Sequence, residues 1–413
     1  MIGFVSEIIY RLIYPLLVWL HKNSGYSDDA IMRKQGKFET PDFSDKQVVM
    51  FHGVSVGEIN AIEKLIKKAR ETFPDIKIVV TTGTNTGQEI AQKKLGDVAD
   101  LITYFPFDTP SCENRFLDKI NPNIILMAET EIWPNWGEIC KNRGIKLFII
   151  NGRISDRTYN SYKNLKFFFK PLLNNYSGIF TQSSEDLEKF LSLGTNPETT
   201  KRMNNLKFDI TAPEVDFQIE KFGRVLLAAS THTGEDEIVI DVYQRLKSKY
   251  KDLKLIIAPR HLTRKEDVEL IVGESGFTYD FRSNGVDSLE NIDILILDTM
   301  GELGKMFAFS DIAFIGGSFN KTGGHNPLEA IIFEKPVISG PSVSNFKDIY
   351  AIIQNAGAGF VVKNPSEFEQ IANKLLSNKS FYHDTVNAGK DVFKSQQGAL
   401  EFVIKELEKN LKA

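Results

Sequence analysis

Polar residues able to do chemistry gather just after short apolar runs. His52-Gly53-Val54-Ser55-Val56-Gly57-Glu58 follows QVVMF (47–51). Two glycines at the carboxyl end of a strand let a ligand approach the backbone closely, and a carboxylate there can take a proton from an attacking hydroxyl. Ser55 to Glu58 also spell a helix capping box, which gives Glu58 a second reading as the cap of its own helix. Glu129-Thr130-Glu131-Ile132-Trp133-Pro134-Asn135 follows NIILMA (123–128). Neighbouring acids raise one another's pKa, which suits Glu129 and Glu131 to acid/base work or to holding sugar hydroxyls. The plain alternative is two solvated glutamates beside a core tryptophan.

The second half repeats the arrangement with a different chemistry. Ser230, Thr231 and His232, ahead of Thr233-Gly234-Glu235, offer hydroxyls and backbone N–H groups at a helix start, an anion site. Pro259-Arg260-His261 ends the next apolar run and presents a guanidinium suited to bidentate phosphate contact. Together, on consecutive strand ends, they predict a phosphate pocket. Thr299, Met300, Gly301 and Glu302 form a turn for a base, while Gly316, Gly317, Ser318, Gly323, Gly324 and His325 lead into Asn326-Pro327-Leu328-Glu329. Asn326 suits an N-cap, Pro327 the first helical position and Glu329 the third. Capping does not explain the glycines, which would let phosphate and ribose rest against backbone amides, with Glu329 on ribose hydroxyls.

Several chemistries lose support. The chain has no GxxxxGK[ST] loop, no GxGxxG after its first strand, no Asp-x-Asp and no His-x-x-x-His. No metal ligands and no cofactor are expected. With 50 basic against 54 acidic residues the net charge of -4 offers no overall field to nucleic acid. Cys112 and Cys140, the only cysteines, provide neither a disulfide framework nor a metal cage.

The elements that must position these residues are legible as runs. QVVMF, KIVVTT (77–82), NIILMA, KLFII (146–150) and GIFTQ (178–182) lack polar alternation, as strands covered on both faces do. The pattern restarts with RVLLAAS (224–230), LKLIIAP (253–259), DILILD (293–298), DIAFIG (311–316) and KPVISG (335–340). A chain of 413 residues is too long for one core. The expected architecture is α/β, with two doubly wound parallel-sheet domains facing across a cleft. The expected boundaries are 36–208, a linker at 209–223, 224–386, and a polar helix (387–410) within 387–413 that packs back on the first domain.

Residues 1–35 stand apart. IGFVSEIIYRLIYPLLVWL (2–20) approaches the length of a membrane span, but Glu7 and Arg11 sit four apart and can pair, and Pro15 interrupts its second half. A helix lying in one leaflet suits it better than a crossing one, and the basic residues that follow favour the cytoplasmic face. The alternative is a buried helix of a soluble domain. At 153–173, Arg153, Arg157, Lys163, Lys166 and Lys170 oppose only Asp156 and surround Phe167-Phe168-Phe169, which suits either a headgroup boundary or a helix with core phenylalanines.

HGVSVGE, ETEIWPN, NGRIS, NLKFD, STHTGE, PRH, DTMGEL and GGSFNKTGGHNPLE occur in one order. In these motifs the sequence resembles the Kdo transferases, which attach 3-deoxy-manno-octulosonate (Kdo) to the lipid A precursor. The resemblance runs from the apolar amino terminus to about residue 341. It implies a GT-B glycosyltransferase that is inverting and metal-independent, with a lipid A precursor held by the first domain and CMP-Kdo by the second. It also implies association with the cytoplasmic leaflet of the inner membrane. By motif, Glu58 looks like the general base, Glu129 or Glu131 would orient the sugar or the base, and Arg260 would offset charge on departing CMP. Ser55, Gly57, Arg153 and Lys163 would touch the acceptor. Two positions depart from the family pattern. Ala229 stands where a glycine is frequent, and the stretch after Thr86-Gly87 offers Lys93 and Lys94 rather than an arginine. The competing readings are a nucleotide-sugar epimerase of similar architecture and a non-catalytic membrane-bound scaffold.

Overall fold

The computed structural model describes residues 2–412, without the side chains of residues 2–6, 10 and 11. The chain divides into two units, Met1–Asp209 with Gln397–Ala413, and Ile210–Gln396.

In the first unit the strands are β1 (Val48–His52), β2 (Lys77–Thr82), β3 (Leu101–Tyr104), β4 (Ile124–Ala128), β5 (Lys146–Gly152), β6 (Gly178–Thr181) and β7 (Thr200–Arg202). They form one parallel sheet in the order β3-β2-β1-β4-β5-β6-β7. Alternate residues face opposite layers. Val49 and Phe51 join the core that holds Ile59, Ile62 and Ile66, whereas Val48 and Met50 join the core of Phe116, Trp136 and Leu173. Both faces being covered is why these strands read as unbroken apolar runs.

The second unit has β8 (Val225–Thr231), β9 (Lys254–Pro259), β10 (Tyr279–Phe281), β11 (Ile294–Ile296), β12 (Ile312–Ile315), β13 (Val337–Ser339) and β14 (Gly359–Val361). Their order is β10-β11-β9-β8-β12-β13-β14, again parallel. Each sheet therefore reverses direction once, between β1 and β4 in the first and between β8 and β12 in the second. Doubly wound sheets bind ligands at the carboxyl ends flanking such a reversal.

The region expected as one polar helix at 387–410 is two, Lys379–Gln396 and Ala399–Leu411. Gly398, at φ 98°, supplies the left-handed turn between them. The Asp209 carboxylate accepts the N–H groups of Gly398 (2.7 Å) and Leu400. Ala399, Val403, Ile404 and Leu407 are buried in the same core as Ile59.

The amino-terminal helix runs unbroken from Ile2 to Asn23, so Pro15 does not interrupt it as expected. Pro15 lies on the exposed side, where water can reach the carbonyl that loses its N–H partner. Glu7 accepts the Ser111 N–H at 3.1 Å, at the start of the helix Pro110–Ile120, and the expected partner Arg11 has its side chain outside the described residues. Ile8, Ile9, Leu12, Ile13, Leu16, Trp19 and Leu20 form an exposed stripe. Among the described residues no helix is long and apolar enough to cross a membrane. Residues 153–173 form two short helices, Asp156–Asn164 and Lys166–Leu173. There Leu172 and Leu173 are core, Phe169 stacks on Tyr162 at 3.8 Å, and Phe167 stands 79% exposed.

Candidate active site

The two ends of the first sheet's reversal carry three carboxylates. After β1 the chain turns at Val54 into the helix Val56–Thr72, on which Glu58 occupies the first turn. Its Oε2 accepts the Val54 N–H at 2.5 Å, and Ser55 Oγ lies 3.4 Å from Oε1. Glu58 thus does cap its helix, and it remains partly open to solvent while doing so. Capping and proton abstraction are compatible here, because a carboxylate has about four lone-pair sites and the hydrogen bonds from Val54 and Ser55 do not use all of them. Burial, then the charge of Glu129, pushes its carboxyl above the usual range.

After β4, Glu129 sits at φ 59°, a left-handed conformation that costs a side-chain-bearing residue roughly 1–2 kcal/mol. Arg153 holds it there, with Nε donating to Glu129 Oε2 at 2.8 Å, while the Thr130 hydroxyl donates to the Arg153 carbonyl. Glu131 accepts Trp133 Nε1 at 2.9 Å. Its carboxyl is pushed up to about 7, first by burial and then by the charge of Glu58. The structure thus brings Glu58, Glu129, Glu131 and Arg153 together. Gly57 is exposed beside Ser55, and Lys163 is exposed on the neighbouring short helix, above the Tyr159 ring. Lys94 is engaged by Glu63 at 2.8 Å, and Lys93 is exposed.

In the second unit, β8 and β12 flank the reversal. Ser230 and Thr231 are buried, Ser230 at φ 57° within a strand irregularity, so their hydroxyls do not lie at the helix start as expected. The helix Glu235–Lys249 begins after Gly234, and three residues of turn separate it from the strand. Thr231 instead offers its carbonyl, which accepts N–H groups from Arg260 (3.0 Å) and Arg264 (3.2 Å). Pro259 closes β9, and Arg260 and His261 beyond it are exposed. His232 Nε2 and His325 Nε2 are 2.9 Å apart, so one nitrogen carries the proton the other accepts. His325 is lowered to about 4, first by burial and then by Arg260. His232 is lowered by burial as well.

The glycine-rich segment departs from expectation. The N–H groups of Gly317, Ser318 and Phe319 donate to the buried Glu235 carboxylate at 2.6, 2.8 and 2.8 Å, joined by His232 N–H at 3.0 Å. Gly316 N–H donates to Ala229 and Gly324 N–H to Gly317. These amides are engaged within the protein and are not offered to phosphate. The glycines are there for close approach: a Cβ on Gly316 would lie 2.5 Å from the Ser230 carbonyl, and one on Gly317 3.0 Å from the His325 ring. Asn326 accepts the Leu328 N–H at 3.2 Å, yet the helix starts one residue later than expected, with Pro327 at its N-cap and Glu329 second, and it is one turn, Leu328–Ile331, which carries little dipole. Glu329 is exposed. In the Thr299–Leu303 turn the Thr299 hydroxyl donates to Glu302, whose other oxygen takes Arg282 at 3.1 Å. Met300 is 82% exposed, and Gly301, at φ 83°, has open space where a Cβ would stand.

Glu235 is the residue that sequence reasoning missed. It stands in STHTGE without an assigned role, since a capping-like glutamate at a helix start does not announce that it gathers a loop more than eighty residues away in sequence. Among the described residues no group of three or more His, Cys, Asp or Glu is disposed to hold a metal ion.

Residues 30–210 match the family model of 3-deoxy-D-manno-octulosonic-acid transferase, and residues 227–392 that of glycosyl transferases group 1. A 3-deoxy-D-manno-octulosonic acid transferase of Haemophilus influenzae is 33% identical over 364 residues, 86% of this chain and 85% of that protein. A bifunctional glycosyltransferase/methyltransferase of Fusobacterium nucleatum is 36% identical over 82% of this chain, which spans about half of that relative's length, 54%. In fold, UDP-GlcNAc 2-epimerase from Neisseria meningitidis aligns with a TM-score of 0.57 at 13% identity, over 88% of this chain and all of that one, 100%. Likeness to the epimerase is one of architecture. The sequence matches to both halves decide the class, and the chain belongs to the 3-deoxy-D-manno-octulosonic acid transferase family and is a glycosyltransferase.

Proposed function

We propose that the protein moves Kdo from CMP-Kdo to a hydroxyl of a lipid A precursor, with inversion and without a resident metal ion, at the cytoplasmic face of the inner membrane. The observation that carries the reading is the carboxylate group at the first sheet's reversal, where Glu58 is half-buried and its proton affinity is raised. A base of raised pKa takes a proton from a sugar hydroxyl more readily than an ordinary carboxylate does. The deprotonating hydroxyl attacks the anomeric carbon of Kdo while the bond to the CMP oxygen breaks. Arg260, exposed at the end of β9, offsets the negative charge that grows on the departing phosphate. The uncharged His232–His325 pair beside it can donate one hydrogen bond to the same group after reorienting. The open turn at Met300-Gly301 suits the base of the nucleotide.

The acceptor is a lipid, and the first unit presents surfaces suited to a leaflet. The exposed stripe from Ile8 to Leu20 includes Trp19 and is followed by Lys22, while Phe167 is exposed in a stretch that also exposes Lys163, Lys166 and Lys170. Aromatic and aliphatic side chains bordered by cations match the headgroup boundary of an anionic membrane.

The test is Glu58→Gln, which keeps an oxygen for the Val54 N–H. Titration with CMP is expected to match the parent protein, and transfer to the lipid A precursor to fall by roughly 10²–10⁴-fold. Transfer at the parental rate removes Glu58 as the base.

A further inference from the structure

The turn that carries Glu58 is fastened to the segment that follows the amino-terminal helix. Val54, whose N–H holds Glu58 Oε2, has its carbonyl held by the N–H groups of Gly83 (3.1 Å) and Thr84 (3.2 Å) and by the Thr84 hydroxyl (3.1 Å). The Gly83 carbonyl in turn accepts two side chains from before β1, the Tyr26 hydroxyl at 2.8 Å and Lys34 Nζ at 3.0 Å. Lys34 is buried, with its ammonium 5.1, 5.5 and 5.9 Å from the ring centroids of Tyr26, Tyr104 and Phe107. Tyr26 also meets the ring of His21, in the last turn of the amino-terminal helix, at 5.1 Å. Asn85 Nδ2 donates to the Gly25 carbonyl at 2.8 Å and so doubles the link.

No slack is left at Gly83. A Cβ there would lie 2.6 Å from Val54 Cγ1, and one on Gly87 would lie 3.0 Å from the Val54 carbonyl. A shift of the Gly83 carbonyl is therefore passed to Val54, and from Val54 to the carboxylate. Burying an ammonium is costly, so Lys34 is a poor choice for stability alone: burial lowers its pKa to about 8.

We propose that Tyr26 and Lys34 are positioning residues for the transfer reaction, fixing the turn at Val54 and with it the direction of the Glu58 carboxylate. The inference rests on the reading of Glu58 as the base. It makes the segment between the amino-terminal helix and β1 part of the reaction's geometry and not a mere tether. The groups facing Glu58 are Ser55 on its own turn and Glu129 and Glu131 after β4, with Arg153 held on Glu129. None of them is altered by a change at Tyr26 or Lys34.

The test uses the full chain in detergent with CMP-Kdo and a lipid A precursor. Tyr26→Phe removes one hydroxyl and keeps the ring, and Lys34→Met keeps the stem and removes the buried charge. Each is expected to lower kcat roughly 10-fold or more, since misplacement by about 1 Å costs up to 10²-fold, with the KM for CMP-Kdo unchanged. The Val54 N–H favours the ionised form of Glu58, so loosening it is expected to move the acidic limb of the pH–rate profile upward. Lys34→Met is expected to melt no lower than the parent, which separates positioning from lost stability. Parental kcat and an unmoved limb in both variants, with Glu58→Gln inactive, overturn the positioning role and leave the base in place. An active Glu58→Gln overturns the base and this inference with it.

Discussion

Glu131 shows how a single side chain ties the site to pH. Its carboxyl titrates near 7 in the folded unit, against about 4.3 for an unfolded glutamate. The native state therefore binds the extra proton between those values, and its favourable contribution, complete below the lower one, is lost as pH rises through the upper one. At pH 8 the ionised Glu131 opposes folding, by roughly 3–4 kcal/mol. Glu131→Gln, whose oxygen can still accept Trp133 Nε1, is expected to melt a few degrees above the parent at pH 8. Near pH 4.5 the melting temperatures of the two proteins should converge, and scanning calorimetry across that range checks both. At this scale the sequence was informative about residue type and ambiguous about role. The spacing Ser55 to Glu58 signalled a cap and strand-end chemistry together, and the structure shows the cap as a real hydrogen bond on a carboxylate that still faces solvent. Thr231, one residue beyond the run 224–230, looks like a hydroxyl on the way to a helix start, and the strand in fact runs through it.

Among elements, the ten strands visible as apolar runs all have neighbours on both sides. The four that went unread, β3, β7, β10 and β14, are the four edges of the two sheets. Edge strands are short and half-covered: β7 exposes Lys201 and Arg202, and no residue of β10 is fully buried. In β7, β10 and β14 partial exposure selects no long apolar run, whereas β3 is buried on both sides and is only four residues, Leu101–Tyr104, with Thr103 among them. In the loop after β12 the N–H groups of Gly317, Ser318 and Phe319 go to Glu235, which the letters do not reveal, because a glycine that admits a ligand and one that admits another backbone are the same letter. Glu235 is the hub of that loop, taking four N–H groups that a neutral amide cannot all receive. Each buried N–H left unpaired costs about 1–3 kcal/mol. Glu235→Gln is thus expected to weaken CMP binding at least 10-fold by calorimetry and to lower the melting temperature of the second unit, while leaving the first unit's transition in place. Unchanged CMP affinity would show that the loop's shape does not matter to the donor.

For the molecule as a whole, the amino-terminal stripe is what a folding argument cannot account for. Seven large apolar side chains remain outside the core, where water makes them costly, unless something apolar covers them. Leu12→Glu together with Leu16→Glu is expected to reduce partitioning onto vesicles containing anionic lipid by 10-fold or more, since each buried leucine is worth about 1.5–3 kcal/mol. CMP binding should not change, and flotation of the double variant at the parental level would dismiss the stripe as a membrane contact.

The chain leaves the first unit at Asp209 and re-enters it at Gln397. Because Ala399, Val403, Ile404 and Leu407 complete the core around Ile59 and Ile62, that unit lacks part of its interior until the residues after 399 have emerged from the ribosome. The second unit, continuous from 210 to 396, needs nothing further once its last helix is out. Completion of the fold thus runs against the order of synthesis: the half translated first is finished last. The nascent chain meanwhile carries an incomplete apolar layer together with the amino-terminal stripe, an interval in which a chaperone or the bilayer itself has most to offer.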